Sequence, residues 1–391
     1  LFSYGLFFKT FEIEFGWSRT VLSGCASLAF FMMGVLATGL GHLSDRLGPG
    51  PVRGVTGVFF GFGFTLISAV SEPWHLFAIF GLFIGLGMST HDVVTLSTVA
   101  RWFDKRRGMM TGVVKTGTAI GQVVVPPFAA LAMASFGWRP AAILLGTLAA
   151  GLLLLAAFLM KTPPPAPGGM AASVNAVCAP TGVSTGGLKS VLKSRVFWTL
   201  CAIQFLFLPT LTTIPLHIAV HGMDLGMSAA SAAVLLSVIG ASSMVGRLAV
   251  GTFSDRIGGK RGFILCFLPL IVSLLAMLKI TTPWPLFAAL AVYGFGHGGL
   301  FTIVAPTIAE FFGTRAHGAI FGAVVFFGTI GGALGPILTG RIFDTTGSYD
   351  PAFMALSGMA MLGLMLVLSL PQPDRTRAPK AEARGCSVRE W

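Results

Sequence analysis

Charged residues are scarce in this sequence: only 10% of the 391 residues are Asp, Glu, Lys or Arg. A soluble domain averages about 25%. Hydrophobic residues make up 54% of the chain and the mean hydropathy is +0.84. A soluble core of this size could not bury so much apolar surface, so the bilayer must act as the solvent. Because the apolar runs are long and unbroken, they predict helices rather than the alternating strands of a barrel.

Cysteine is also scarce, and the few cysteines form no pattern. They are odd in number, widely scattered and without C-x-x-C spacing: Cys25, Cys178, Cys201, Cys266 and Cys386. This distribution excludes a disulfide framework and predicts no zinc site or other metal site.

Motifs of nucleotide-dependent and nucleophilic enzymes are missing in usable form. The chain has no Walker A lysine, so ATP-driven transport by this chain is unsupported. Residues 182–186 match G-x-S-x-G, but they lie in a stretch without a preceding strand. Residues 294–299 match G-x-G-x-x-G, but inside an apolar span without βαβ context. We therefore expect no cofactor.

The formal net charge of +12 would suggest a nucleic-acid partner in a soluble protein. Here the basic residues lie in short loops between apolar spans. No basic surface interleaved with aromatic residues is visible, so we expect the lipid bilayer as a partner and no nucleic acid.

The apolar spans predict twelve transmembrane helices. The sequence begins at Leu1 inside an apolar run in which only eight residues precede Lys9. Eight helical residues rise about 12 Å against a hydrocarbon core of about 30 Å, so we expect the first helix to be truncated. Eleven full spans follow, with ends set to within about 2–4 residues: 20–40, 52–70, 76–100, 108–134, 141–160, 197–217, 229–253, 262–280, 286–309, 318–339 and 353–370.

One segment interrupts this pattern and divides the chain. Residues 161–194 are rich in Pro, Gly, Ser and Ala and cannot pack a core, which predicts a flexible linker. We expect a six-helix bundle in residues 1–160 and a second one in residues 195–370. A polar, basic tail follows at 371–391.

Lys and Arg residues indicate the orientation. Nineteen of the 26 fall on the side of the linker and the tail, five fall on the other side, and Lys115 and Arg247 lie inside spans. Basic loops stay in the cytoplasm. We therefore expect a multi-pass protein of the plasma (inner) membrane with the linker and the tail on the cytoplasmic side.

The two halves repeat at a fixed offset of 210 residues. One motif, Gly41, Ser44, Asp45, Arg46 and Gly48, falls on Gly251, Ser254, Asp255, Arg256 and Gly258. Six helices in each repeat keep the two halves the same way up. Two parallel halves leave a central cavity at their interface, and alternating access then means rocking one half against the other.

Residues 41–48 resemble the loop signature of the major facilitator superfamily, G-x-x-x-D-R/K-x-G, between its second and third helices. Residues 251–261 resemble its echo between the eighth and ninth helices, and the resemblance covers essentially the whole chain. It implies the major facilitator fold, an all-α membrane protein of two bundles. It also implies that the two motifs form a conformational latch on the cytoplasmic side: Gly41, Asp45, Arg46, Gly48, Gly251, Asp255, Arg256 and Gly258.

A closer resemblance is to the oxalate/formate antiporter and monocarboxylate transporter branch. It is carried by residues 4–9 (Y-G-L-F-F-K), 15–19 (F-G-W-S-R), 101–103 (R-W-F), 106–108 (R-R-G) and 246–248 (G-R-L). This branch implies small carboxylate substrates, with proton symport or anion exchange. Two departures are visible. Ser243 stands where the monocarboxylate carriers place an acid, and residues 318–339 lack a lysine that some antiporter relatives carry.

Arg247 is the first candidate substrate ligand. A charge at membrane depth is costly unless it faces water or a partner, and the planar guanidinium matches a carboxylate. The alternative is a side chain that extends to the lipid headgroups or pairs with Asp255.

Lys115, Asp92 and His91 form a second candidate group in the N-terminal half. One alternative is an Asp92–Lys115 ion pair that braces neighbouring helices. The other is a substrate or proton site in the cavity, in which His91 or Asp92 titrates. Both alternatives stay open at this stage.

Six further polar side chains are candidates for the cavity wall. His217 and His221 lie at the outer end of the seventh helix and His297 in the tenth, where a packed or mouth-lining role competes with a ligand role. Ser243, with Ser242 and Gln204, is placed by its span at a possible cavity surface.

Two intramembrane cations with one clear intramembrane acid favour an anionic substrate. We predict a monomeric secondary transporter of a small organic anion, a mono- or dicarboxylate. The alternatives are a major facilitator exporter of drugs or neutral solutes and a non-transporting nutrient sensor on the same fold. A membrane-embedded enzyme would need a metal cluster or an activated nucleophile, and the sequence shows neither.

Overall fold

The computed structural model describes residues 3–102, 107–161, 191–312 and 317–371. A π-helical segment spans Ile79–Ile84. The helices are α1 Tyr4–Phe15, α2 Arg19–Leu47, α3 Pro49–Leu66, α4 Pro73–Ala78, α5 Gly85–Trp102, α6 Arg107–Phe136, α7 Trp138–Leu159, α8 Arg195–Asp224, α9 Ala229–Ile257, α10 Gly259–Met277, α11 Pro283–Phe312, α12 His317–Thr346 and α13 Asp350–Ser369.

Eleven helical stretches in the described ranges are long and apolar enough to cross a membrane, which confirms the eleven full spans predicted from sequence. Helix α1 has 12 residues and rises about 18 Å. Several helices extend beyond the apolar runs: α2 reaches Leu47, although its predicted span stopped at residue 40. The backbone N–H and C=O groups of a helix bond to each other. A helix can therefore continue from the apolar zone into the polar zone without leaving these groups unpaired.

The offset of 210 residues is visible in the backbone as well as in the sequence. Ser18 and Ser228 each accept a hydrogen bond from the backbone three residues on, as N-caps of α2 and α9. Gly48 and Gly258 have φ of 88° and 87° at the junctions α2–α3 and α9–α10. Only glycine adopts this conformation without strain. The repeat therefore fixes the same turn in both halves.

Helices α2, α6, α9 and α12 make the largest contacts between the two six-helix bundles, and α1 packs against α8 as well. Helix α2 packs against α12, and α6 packs against α9. We call the end at which α7 ends and α8 begins the linker end, and the opposite end of the molecule the far end. Helices α2 and α9 begin at the far end, and α6 and α12 begin at the linker end, so each pair is antiparallel.

Helices α2 and α12 of the two bundles pack closely towards the far end and less closely towards the linker end. A methyl group added at Gly34 of α2 would come within 2.6 Å of Thr329 of α12, and one added at Gly340 within 2.6 Å of the Arg19 carbonyl. Closer to the linker end, a methyl group at Gly322 of α12 would meet no described atom within 4 Å. The contact between α2 and α12 therefore loosens towards the linker end.

The outer surface is apolar where lipid would contact it. Helix α7 exposes Leu152, Leu155 and Phe158. Trp74 and Trp284 occupy equivalent repeat positions at the far end and are 65% and 81% exposed. Tryptophan prefers the membrane interface, so these two side chains mark one boundary of the hydrocarbon region.

Candidate functional site

The side chains of Asp92, Lys115 and Arg247 meet at the interface between the bundles. Lys115 Nζ of α6 lies 2.6 Å from Asp92 Oδ1 of α5. Arg247 of α9 donates through Nη1 to the Lys115 carbonyl of the other bundle. The ring of Phe301 of α11 lies near both cations: its centroid is 5.8 Å from Lys115 Nζ and 5.5 Å from the Arg247 guanidinium carbon. We call the side chains of Arg53, His91, Asp92, Lys115 and Arg247 the central charge cluster.

His91 connects the cluster to α3 and α6. Its Nδ1 lies 3.4 Å from Arg53 Nη2, and its Nε2 lies 3.3 Å from Thr118 Oγ1 and 3.9 Å from Asp92 Oδ1. A guanidinium only donates hydrogen bonds, so Nδ1 must be the acceptor. The neutral ring therefore carries its proton on Nε2, directed towards Thr118 and Asp92.

Arg53 is a functional candidate that the sequence analysis missed. It was counted among the loop charges, but the structure places it one turn inside α3, only 7% exposed, with Nη1 3.0 Å from Thr90 Oγ1. The misassignment arose because Pro49 starts α3 directly after the Gly48 turn. The signal was already present, since residue 53 falls inside the predicted span 52–70.

Arg247 is buried and incompletely hydrogen bonded. It is 2% exposed, and its Nε has no hydrogen-bond partner among the described residues. No carboxylate lies within 4.0 Å of it in the same ranges. Because Nη1 is bonded across the bundle interface, the side chain does not extend to the lipid headgroups. The side chain of Asp255, the alternative partner, lies outside the described part.

The described cluster holds more positive than negative charge. Arg53, Lys115 and Arg247 face a single carboxylate, Asp92. His91 and Asp92 are 47% and 50% exposed, whereas both guanidinium groups are buried. Buried cations are stable only with compensating partners. The arrangement can therefore accept a small anion.

Ser243 and His297 lie inside the C-terminal bundle. Ser243 Oγ is 3.3 Å from His297 Nδ1, and both side chains are buried. Ser243 is one turn before Arg247 on α9. The two residues contact each other rather than the acid or the lysine of the cluster.

His217 lies apart from the central charge cluster, at the far end. Its Nε2 is 3.2 Å from the Pro336 carbonyl, which can only accept, so Nε2 donates and Nδ1 accepts from the Tyr349 hydroxyl at 3.1 Å. Burial raises the pKa of Tyr349, which keeps this hydroxyl protonated and able to donate. His221 packs edge-on against Tyr349. Both histidines are thus part of the far-end packing.

A second group of charges, the far-end ion cluster, was also missed from sequence. It consists of Lys9, Glu12, Arg19, Asp224 and Tyr349. Arg19 is 2% exposed and donates to Glu12 at 3.1 Å, to Asp224 at 2.6 Å and to the Tyr349 hydroxyl at 2.7 Å. Lys9 bridges Glu12 and Asp224, each at 2.9 Å. Since Asp224 and Tyr349 belong to the C-terminal half, this cluster closes the far end.

Asp344 of α12 caps α2 of the other bundle. Its carboxylate accepts from the backbone of Arg19 at 3.0 Å and of Thr20 at 2.8 Å. A carboxylate at a helix N-terminus satisfies unpaired N–H groups and the helix dipole. Such a cap cannot be predicted from spacing, because the two residues are more than 300 positions apart.

The latch motifs are described in part. Arg46 and Arg256 are exposed at the ends of α2 and α9. Glu310 of α11 accepts from the Gly259 backbone at 2.7 Å and so caps α10. The side chains of Asp45 and Asp255 lie outside the described part, so their predicted capping role stays a prediction.

Other cavities and clusters of the described residues offer weaker sites. A cavity of about 250 Å³ in the N-terminal bundle is lined by Thr118, which contacts His91 of the central charge cluster, but its wall is mostly apolar and carries no charged side chain. Within the same ranges no group of three or more His, Cys, Asp or Glu is placed to hold a metal ion. The central charge cluster is therefore the candidate site.

Comparisons with known proteins agree with the resemblance noted in the sequence. The chain matches the Major Facilitator Superfamily over residues 1–259 and 224–391. It is 29% identical to Monocarboxylate transporter 13 of Rattus norvegicus over 374 residues, which are 94% of this chain and 84% of that protein. It is 27% identical to Monocarboxylate transporter 11 of Homo sapiens over 384 residues, 95% and 79% of the two chains. MFS-type transporter pynF of Aspergillus niger is 26% identical over 374 residues, 93% and 82%.

Proposed function

Because this chain belongs to the Major Facilitator Superfamily, we propose that it is a secondary transporter of small carboxylates, driven by proton symport or anion exchange. The family and the eleven membrane-capable helices make it a multi-pass membrane transporter rather than an enzyme. The carboxylate class and the coupling are the parts of this proposal that need experiment.

One observation carries the proposal. Arg247 presents a buried guanidinium at the interface of the two bundles, with a free Nε donor and no carboxylate partner among the described residues. A carboxylate can accept two parallel hydrogen bonds from such a group. The names of two relatives, Monocarboxylate transporters 13 and 11, support the same substrate class.

We also propose how the bundles move. We place the linker and the tail in the cytoplasm, so that the linker end faces the inside of the cell and the far end faces the outside. The described state is then closed to the outside and open to the inside. Rocking would break the far-end ion cluster and close the linker end, exposing the central charge cluster to the outer side. Asp45, Asp255 and their neighbouring motif residues would hold the cytoplasmic side in that second state.

Counterflow in proteoliposomes tests the substrate class. Purified protein is reconstituted with an unlabelled carboxylate inside, and uptake of the labelled carboxylate is followed with and without a pH gradient. We expect carboxylate uptake, with stimulation by the gradient for proton symport or by internal anion alone for exchange. Uptake of neutral solutes or drugs but of no carboxylate would instead support the exporter alternative.

The Asp92–Lys115 pair can be tested by charge removal on one or both sides. We expect Asp92→Asn to change the pH dependence of uptake and to leave Lys115 without its partner at 2.6 Å. The double variant Asp92→Asn with Lys115→Met removes both charges. If the pair only braces α5 against α6, the double variant recovers wild-type uptake and the single variant keeps the wild-type pH profile.

The latch is tested at Asp45, a position whose role rests on the sequence resemblance. We expect Asp45→Asn to reduce turnover more than substrate binding, because a latch residue acts on the equilibrium between states rather than on the site. The measurement pairs initial uptake rates with substrate-induced thermal shifts of purified protein. Equal turnover in both proteins would refute the latch.

A further inference from the structure

Two guanidinium groups, those of Arg53 and Arg247, flank the Asp92–Lys115 pair. Arg53 approaches from α3 on one side, through His91, and Arg247 approaches from α9 on the other. Both side chains are buried, at 7% and 2% exposure. Neither has a carboxylate within 4.0 Å among the described residues, and their hydrogen bonds go to neutral groups.

The acidic residues of the chain explain this imbalance. Of the 14 acids, the structure describes the side chains of eight, and among these eight only Asp92 lies in the central charge cluster. The side chains of six fall outside the described part: Asp45, Asp104, Asp255, Asp374, Glu382 and Glu390. Six others lie at the far end, namely Glu12, Glu14, Glu72, Asp224, Asp344 and Asp350, and Glu310 is engaged with the α10 N-terminus.

The described cluster therefore carries a net charge of +2. Lys115 and Asp92 cancel each other at 2.6 Å. His91 adds no negative charge in any protonation state, and its Nδ1 already accepts from Arg53. A monoanion would leave one buried guanidinium uncompensated, whereas a dianion would balance both.

We propose that Arg53 is a specificity-determining residue that sets the preference of this site for dianionic over monoanionic substrates, that is, for dicarboxylates. This inference rests on the proposed carboxylate transport and names the substrate charge more closely. Arg247 binds one carboxylate directly through its free donors. Arg53, buried behind His91, acts mainly through its charge, because electrostatic interactions extend further in the poorly solvated interior than in water.

Charge-matched variants separate the charge of Arg53 from its shape. Competition of labelled substrate by a short dicarboxylate, succinate, and by a monocarboxylate of similar length, butyrate, is measured at constant ionic strength. In the wild type we expect succinate to compete better. In Arg53→Gln we expect the ratio of the two inhibition constants to shift in favour of butyrate by about tenfold or more. In Arg53→Lys, which keeps the charge, we expect the ratio to stay near that of the wild type.

The outcomes distinguish this inference from the proposed function. If counterflow shows no uptake of any carboxylate, the carboxylate proposal itself fails. If a carboxylate is taken up but succinate does not compete with it, only the role of Arg53 is overturned. The same holds if butyrate competes as well as or better than succinate in the wild type, or if Arg53→Gln leaves the ratio unchanged. Thermal shifts of the wild-type protein with succinate and with butyrate measure the same preference without a variant, so a poorly folded Arg53→Gln protein does not prevent the test. A larger stabilisation by butyrate contradicts the inference.

Discussion

We expect Arg247→Ala to abolish carboxylate uptake while the protein still reaches the membrane. The guanidinium is the one cation of the central charge cluster that comes from the C-terminal bundle, and its Nε is free to bind substrate. Hydrogen bonds to charged groups contribute about 1.5–3 kcal/mol each, so the loss of two corresponds to a fall of about 100-fold or more in uptake. The measurement is counterflow of a labelled carboxylate at equal protein density.

Arg247→Lys is the matched control for charge without the planar fork. We expect partial uptake with a raised KM, because an ammonium group attracts the anion but cannot bind it through two parallel donors. A structural role would be recognised by a lower thermal stability in both variants, with uptake falling in proportion. Normal uptake in Arg247→Ala would refute the assignment of this residue to the substrate.

We expect Arg19→Gln to open the far end. Arg19 joins the two bundles through Asp224 and Tyr349, and its guanidinium also lies 3.6 Å above the ring of Phe343. Its removal takes away contacts that exist only while the far end is closed. Charge-assisted bonds contribute about 1.5–3 kcal/mol each, partly offset because the carboxylate side chains of Glu12 and Asp224 are 27% and 23% exposed to solvent. We therefore expect the closed–open equilibrium to shift by about tenfold or more.

Thiol labelling measures this opening. Ser23 is fully buried on α2 beside Gly340, so Ser23→Cys in a background without the native cysteines reports exposure of the closed interface. We expect Arg19→Gln to raise the labelling rate from the far side about tenfold or more, and to slow transport because the cycle stalls in one state.

Arg139→Gln is the control for this experiment. Arg139 pairs with Glu14 at 3.0 Å near the same end of the molecule, but both residues belong to the N-terminal bundle. Removing this pair should leave the labelling rate unchanged, because it does not join the bundles. Equal labelling in Arg19→Gln and the parent protein would show that the far-end ion cluster does not hold the two bundles together.

Charged residues in the middle of an apolar span and charged residues near a helix end differ in how far the sequence identifies them. The sequence singled out Lys115, Asp92 and Arg247 as site candidates because a charge inside an apolar span is costly and must find a partner or water. Arg53 and Arg19 were missed because each lies within one turn of a helix end. At such positions a side chain can turn to solvent or to the interior, and spacing along the chain does not decide which.

Asp344 and Glu310 illustrate the remaining gap. Each caps a helix that lies far away in the sequence, and Asp344 does so across the bundle interface. No local pattern marks a carboxylate as the cap of a distant helix. The same holds for His217, whose candidate role as a ligand came from its span and whose contacts are with Pro336 and Tyr349 at the far end.

By itself, the sequence determined the membrane solvent, the helices, the repeat at 210 residues and the presence of unbalanced positive charge at membrane depth. These follow from composition and periodicity, because backbone groups in lipid must be paired within each helix. Only the tertiary structure decided which bundle ends touch, which arginines turn inward and which carboxylates pair between the halves. Those outcomes depend on the docking of two separately inserted bundles, a contact between residues hundreds of positions apart that local sequence does not encode.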